Sequence, residues 1–471
     1  MSETEPSVLC NLITTILYLI PLTVALLVIP FKLISDTRRK SNTIGFFHPY
    51  CNAGGGGERV LWAAIRTMQK KYPNHKYYVY SGDTDATKEQ ILLKARQRFG
   101  IELDPTNIEF IYLNWRSLVE AHHYKHFTML FQALAGLALA LEAWCRLVPE
   151  IFIDSMGYPL SLPAFRMAGS KVVAYVHYPT ISCDMLDVVE SRQETFNNSS
   201  TIAQSNLLSW AKLAYYRLFA LLYWLAGKAA HVVMVNGSWT QRHITSIWSR
   251  RDVSIVYPPC DVEAFLNIES VAETLLEETK TVRLLSVGQI RPEKNHKLQL
   301  EVLADVKEPL KKKGYKVELC IAGGCRNEED QERVKSLKKE AKEMGIDEQL
   351  VWQLNVPYED LVAELSKALI SIHTMHNEHF GISVVEAMAA STVILSNDSG
   401  GPKMDIVKDF EGHCVGYLSI TREEYAETIL KIVEEGKRKR DDIRKWARKS
   451  LTRFGENAFE THWNNQIEKV L

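Results

Sequence analysis

The chain has 471 residues, 46% hydrophobic and 24% charged, a globular composition too long for one ordinary core. Its 56 basic and 57 acidic residues balance, so it lacks the basic bias of a nucleic-acid binder. Eight cysteines (10, 51, 145, 183, 260, 320, 325, 414) are scattered with no CxxC pair. That excludes a disulfide framework or zinc site and points to reduced thiols in a cytosolic compartment.

The stretch VLCNLITTILYLIPLTVALLVIPFKL (8–33) carries one charge, Lys32, in 26 residues. A bilayer core needs roughly 20 apolar residues, so the stretch is long enough to span. Its length, its acidic leader (Glu3, Glu5) and the lack of a small-residue cleavage site favour a membrane anchor over residues 1–40. A cleaved signal peptide is the rival. Lys32, Arg38, Arg39 and Lys40 then place everything after residue 40 in the cytosol. The sequons at Asn197, Asn198, Asn236 and Asn397 are accordingly expected to be unmodified.

Beyond the anchor, strands are predicted at 43–49, 76–82, 108–113, 151–155, 171–177, 231–236 and 253–259. A polar, acidic stretch over 261–281 interrupts the pattern, which resumes at 283–288, 316–324, 350–356, 369–375 and 392–397. Short β-branched runs, apolar on both faces and separated by helical segments, mark buried parallel strands. The alternation predicts two doubly wound α/β domains, 41–260 and 282–455, joined by a 261–281 linker and facing each other across a cleft. Phe459, Trp463, Ile467 and Val470 predict a closing helix in 456–471. The apolar segments 127–148 and 207–227 carry polar breaks at Gln132, Glu142, Lys212 and Arg217. Spanning would strand two of the first domain's strands across the membrane, so both read as buried or interfacial helices.

Gly54, Gly55, Gly56 and Gly57 follow the first strand and open a helix. Such a turn admits close approach of a phosphate or sugar, with helix-start N–H groups favouring an anion. Arg59 breaks the dinucleotide fingerprint, and a Walker lysine is absent. After the strand RLLSVG, Gly288 is followed by Arg291 and Lys294, cations suited to a diphosphate leaving group or, more blandly, to a solvated loop. Glu378 and Glu386 lie eight apart, with Phe380, Gly381 and Ile382 at the start of the helix ISVVEAMAA. Backbone N–H groups there suit a phosphate or sugar oxygen, Glu378 suits sugar hydroxyls, and Glu386 suits a ribose. The apolar neighbours of Glu386 predict that it is enclosed. NDSGGPK (397–403) reads as a flexible, ligand-accessible turn. His177 closes a strand and is structural or catalytic. Asp83-Thr84-Asp85 reads as a loop or ribose contact, not a metal site.

The segments FFHPYCNAGGGGERVLW, VHYPTIS, VMVNGSWT, VYPPCDV, SVGQIRPEKNH and EHFGISVVE together resemble the α-1,2-mannosyltransferases of the asparagine-linked glycosylation pathway. These are retaining, family-4 type enzymes with two facing Rossmann-like domains (GT-B type). The likeness runs from about residue 43 onward; the E-x7-E pair alone marks only the superfamily. The resemblance implies GDP-mannose as donor, a dolichyl-diphosphate oligosaccharide as acceptor, and the cytosolic face of the endoplasmic reticulum membrane. Other mannosyltransferases of the pathway are candidate partners, and no cofactor or metal is expected. By motif position, Glu378 would meet the transferred mannose, Glu386 the ribose, and His177 the mannose and diphosphate. Gly54–Gly57 would approach the diphosphate or acceptor, and Lys294 would bind the diphosphate. Relatives carry arginine where this chain has Gln289, a place Arg291 is expected to fill. The rivals are a retaining transferase of the same fold with another donor or linkage, and a non-catalytic membrane-bound glycan- or lipid-binding scaffold.

Overall fold

The computed structural model describes residues 29–182, 185 and 206–471. Residues 8–28 of the expected anchor and the sequons at Asn197 and Asn198 lie outside the described residues. The chain divides into two compact units, one of residues 1–234, 243–254 and 464–471, the other of 235–242 and 255–463.

The first unit is built on a sheet of β1 (Arg39–Phe47), β2 (Lys76–Ser81), β3 (Ile108–Tyr112), β4 (Val148–Asp154), β5 (Lys171–Val176), β6 (Val232–Val235) and β7 (Val253–Ile255), in the order β3-β2-β1-β4-β5-β6-β7. Thr43 to Phe47 are buried on both faces, as the apolar run requires, while the strand starts earlier, with exposed residues from Arg39. Phe152 and Phe165 stack at 3.8 Å, and the Tyr80 hydroxyl donates to the Leu147 carbonyl at 2.8 Å. Polar groups this deep need such partners.

The second unit carries β8 (Thr281–Val287), β9 (Lys316–Gly323), β10 (Leu350–Leu354), β11 (Ile370–His373), β12 (Val393–Asn397) and β13 (Tyr417–Ser419), ordered β10-β9-β8-β11-β12-β13 and paired in parallel throughout. β13, three residues long, is too short to leave a sequence pattern. The expected linker is not an open connection. It folds into helices Val262–Leu266 and Ala272–Thr279, which bury Val262, Phe265, Ala272 and Leu276 in the second unit. Its acidic residues hid this, because most of them lie on the outer faces of two short helices, Glu273 alone turning inward to Arg440 and Arg444. In each sheet the strand order reverses beside the first strand, between β1 and β4 and between β8 and β11. Ligands bind open α/β sheets at such switch points, off the carboxyl ends of the strands.

Candidate active site

In the second unit the switch point gathers the end of β8, which leads to Lys294, and the end of β11, which leads to Glu378. Ser371 pairs with Leu285 in the ladder, so the two chain ends emerge side by side. The Lys294 ammonium lies 2.5 Å from Glu378 Oε2, and His373 Nε2 lies 3.2 Å from the same oxygen. The side chains of Lys294, Glu378 and His373 are 20%, 14% and 7% exposed, so this carboxylate is held by two nitrogen groups in little water. Burial alone would raise the Glu378 pKa, but the His373 hydrogen bond and the Lys294 charge outweigh it and hold the carboxyl well below the usual range. Glu378 is therefore ionised, suited to accept hydrogen bonds and not to act as an acid. Thr374 Oγ1 donates to the Lys294 carbonyl at 2.8 Å and accepts from Gln299 Nε2 at 2.8 Å, fixing the loop that carries the lysine.

The Glu378 loop is clamped from below. Gly401 N–H donates to the Glu378 carbonyl at 2.6 Å, and Asn377 N–H donates to Ser399 Oγ at 2.7 Å. A Cβ on Gly400 would stand 2.2 Å from the Glu378 carbonyl oxygen, and one on Gly401 would stand 2.4 Å from that of Phe380. The two glycines thus serve backbone-to-backbone packing, which corrects the reading of NDSGGPK as a free ligand turn. Gly381, at φ +109, turns the chain into helix Ile382–Ala389. Glu386 stands one turn in and is half-buried between buried Val385 and Ala387, more open than its neighbours suggest. The Phe380 ring is buried against Tyr257 and Phe454, leaving only its backbone for a ligand. Gly288 lies against Lys294, whose Cδ is 3.5 Å from where a Cβ would be. Arg291 is exposed and 3.9 Å from Glu293, so the structure brings Lys294 to Glu378 but not Arg291.

Buried Asp405, which sequence reasoning passed over, ties other motifs to this loop. It accepts from Ser238 N–H (2.8 Å), Ser238 Oγ (2.5 Å) and the Tyr257 hydroxyl (2.9 Å). Trp239 then packs on His379 at 5.1 Å. VNGSWT and VYPPCDV are thus braces for the EHFG loop.

In the first unit the glycine turn meets two imidazoles. A Cβ on Gly57 would lie 3.7 Å from His177 Nε2 and 3.9 Å from His48 Cε1. His48 Nδ1 pairs with Ser155 Oγ at 3.0 Å, and its Nε2 is 4.0 Å from Glu58 Oε1. Burial lowers the His48 pKa to about 4, so the ring is neutral. Glu58 reaches back to accept from Gly55 N–H at 2.7 Å, taking one of the donors expected to face an anion. Gly54, at φ +81, makes the turn, and Gly56 stays exposed. His48 and Glu58 were legible only as the flanks of the glycine run. Asp83 pairs with Arg116 and accepts from Asn52 N–H at 2.9 Å, so it fixes the loop before the glycines. Among the described residues, Glu120, His122 and His123 bring possible metal-ligand atoms within 4.8 Å of one another, on the surface.

Comparison with known proteins agrees with this architecture. The family described as ALG11 mannosyltransferase N-terminus matches residues 41–248, and that described as Glycosyl transferases group 1 matches 267–450. A Caenorhabditis elegans protein named GDP-Man:Man(3)GlcNAc(2)-PP-Dol alpha-1,2-mannosyltransferase is 85% identical over 471 residues, covering 100% of both chains. A human protein of the same name is 47% identical, over 93% of this chain and 89% of its own. Among solved structures, Anabaena Alr3699/HepE in complex with UDP and glucose superposes with a TM-score of 0.59 at 15% identity, over 90% of this chain and 99% of the other. Sucrose-phosphate synthase from Thermosynechococcus elongatus gives 0.65 at 13% identity, over 91% and 98%. At such identities the likeness establishes the fold, the two-sheet GT-B glycosyltransferase type. With relatives this similar along its whole length, the chain belongs to the GDP-Man:Man(3)GlcNAc(2)-PP-Dol alpha-1,2-mannosyltransferase family.

Proposed function

We propose that this chain moves mannose from GDP-mannose, with retained configuration, to the 2-hydroxyl of a dolichyl-diphosphate oligomannose, adding the fourth and fifth mannoses. The observation that carries the reading is the Lys294–Glu378–His373 cluster at the switch point of the second sheet. Lys294 supplies positive charge for the departing diphosphate, and ionised Glu378 accepts from hydroxyls of the transferred mannose. Glu386 takes the ribose, while Gly54–Gly57 and His177 serve the diphosphate or the acceptor. The departing diphosphate itself receives the acceptor's proton in a front-face displacement. No metal is required, so activity persists in a chelator. Labelled GDP-mannose with a synthetic lipid-linked trimannosyl acceptor, followed by linkage analysis, tests the proposal. An α-1,2-linked product is expected; transfer from a UDP-sugar instead, or another linkage, overturns it.

The first unit's surface supports a membrane location. Helix Thr128–Arg146 is long and apolar enough to cross a membrane by length and composition. It buries Ala133, Gly136, Leu139 and Ala143, and leaves Phe127 at its cap, Phe131, Leu134 and Leu141 exposed. Leu218, Leu221 and Leu225 are exposed on helix Asn206–Gly227. One buried and one apolar exposed face fits helices lying in a lipid interface. The proposed setting is the cytosolic face of the endoplasmic reticulum, with residues 8–33 as the anchor and other mannosyltransferases of the pathway as neighbours. Protease protection of 149–206 in sealed microsomes would contradict it.

A further inference from the structure

We propose that the cleft between helices Ala272–Thr279 and Gly436–Ser450, in the second unit, binds a clustered-phosphate anion. The cleft has a volume of about 670 Å³, the size of a small-molecule site. Five cations line it: Lys437, Arg444, Lys445, Arg448 and Lys449. Glu273 and Asp441 are the carboxylates in the lining and Glu277 stands 3.7 Å from Lys437, which leaves two positive charges in excess.

The excess reaches into the protein. Arg440 and Arg444, 4% and 8% exposed, share the single carboxylate of Glu273, which is 11% exposed. Burial works to raise the Glu273 pKa, but the two guanidiniums outweigh it, so the carboxylate stays ionised and still balances only one of them. The other acid on Arg444, Asp441 at 2.9 Å, is half exposed and so screened by water. Arg440 spends Nη1 on the carbonyls of Ile432 and Val433, whereas Nε and Nη2 of Arg444 are buried with no acceptor. A buried charge left short of counter-charge is costly, and an anion seated in the cleft would supply it. Arg444 acts from beneath by its charge, while the exposed lysines at 437, 445 and 449 contact the occupant. A compact multi-phosphate matches both the size of this open cleft and the density of charge. None of these residues belongs to the Lys294–Glu378 cluster, so the site is separate from mannose transfer.

The test uses the full chain in detergent with inositol hexakisphosphate as a free probe, and vesicles containing phosphatidylinositol 4-phosphate as the lipid probe. The variant is Lys437→Gln/Lys445→Gln/Lys449→Gln. We expect saturable one-to-one binding of at least one probe, weakened about tenfold in the variant, with mannosyl transfer unchanged. Loss on the free probe alone identifies a soluble polyphosphate, and loss on vesicles alone identifies a headgroup. Equal affinity in variant and native chain, or no saturable binding of either probe, overturns the site. So does an equal loss from the control Lys335→Gln/Lys338→Gln/Lys339→Gln on the distant helix Glu328–Glu343, because that would be general charge attraction.

Discussion

Replacing Lys294 by methionine removes one of the two groups holding Glu378 and keeps the volume of the stem. The two side chains are 20% and 14% exposed, so the orphaned carboxylate loses its charge partner with little water to replace it. Breaking a fully buried pair costs about 3–5 kcal/mol; with this residual exposure we predict about 2–3 kcal/mol. Glu378→Gln costs less, about 1 kcal/mol, because the freed lysine can turn its head to solvent. The double variant is then no worse than Lys294→Met alone, giving a coupling of about 1–2 kcal/mol. In turnover, Lys294→Met loses about 10²–10³-fold, the effect of removing one charge-stabilising donor from a reacting centre. Denaturant unfolding of the four proteins measures the cycle, and initial rates with GDP-mannose measure the turnover. The pair also sets a pH dependence. The folded Glu378 pKa lies below its ordinary 4.5, so its stabilising contribution is complete above that value and is lost as pH falls through the folded pKa. The stability gap between native chain and Glu378→Gln should therefore close on acidification. Additive single effects, or unchanged turnover in Lys294→Met, would show that the contact is incidental.

His48 gives a second pH signature of its own. Its folded pKa near 4 lies below the ordinary 6.5, so acid favours the unfolded chain, and about 3 kcal/mol is lost between those values. His48→Asn should lose about that much less stability than the native chain over the range, as followed by unfolding of both at stepped pH. Gly401→Ala drives a Cβ to 2.4 Å from the Phe380 carbonyl oxygen. It should shift the donor loop and abolish most transfer, and normal kinetics in a folded variant would refute the clamp. Glu386→Ala should raise KM for GDP-mannose more than it lowers kcat, with Glu378→Gln doing the reverse. Equal effects on donor affinity would contradict the division of roles.

Every strand but β13 was legible because it announces itself locally, as Thr43–Phe47 and Val393–Asn397 do by burying every residue. Lys294 and Glu378 were legible because each follows a strand in a recognisable motif. His373 was not, since it ends β11 five residues before Glu378 and meets it only through the folding of the loop between them, which no local pattern encodes. Asp405 was hidden by distance, its partners lying 148 and 167 residues earlier. Phe380 and the glycines at 400 and 401 were read toward a ligand because nothing local tells a residue spent on packing from one kept for binding. Arg291 misled by proximity: three residues from Lys294, it ends in solvent.

The division of the chain into units has a bearing on how it is made. The first unit includes residues 464–471, where Ile467 and Val470 are buried, Glu468 pairs with Lys71, and the Leu471 carbonyl accepts from Lys171 at 3.1 Å. A nascent chain emerging from the ribosome in order would hold this unit incomplete until the whole second unit had been synthesised. The second unit, lacking only the short piece 235–242 from its main span, faces no such delay. Order of synthesis and order of completion are thus reversed, so a late truncation would be felt first in the part of the molecule translated earliest.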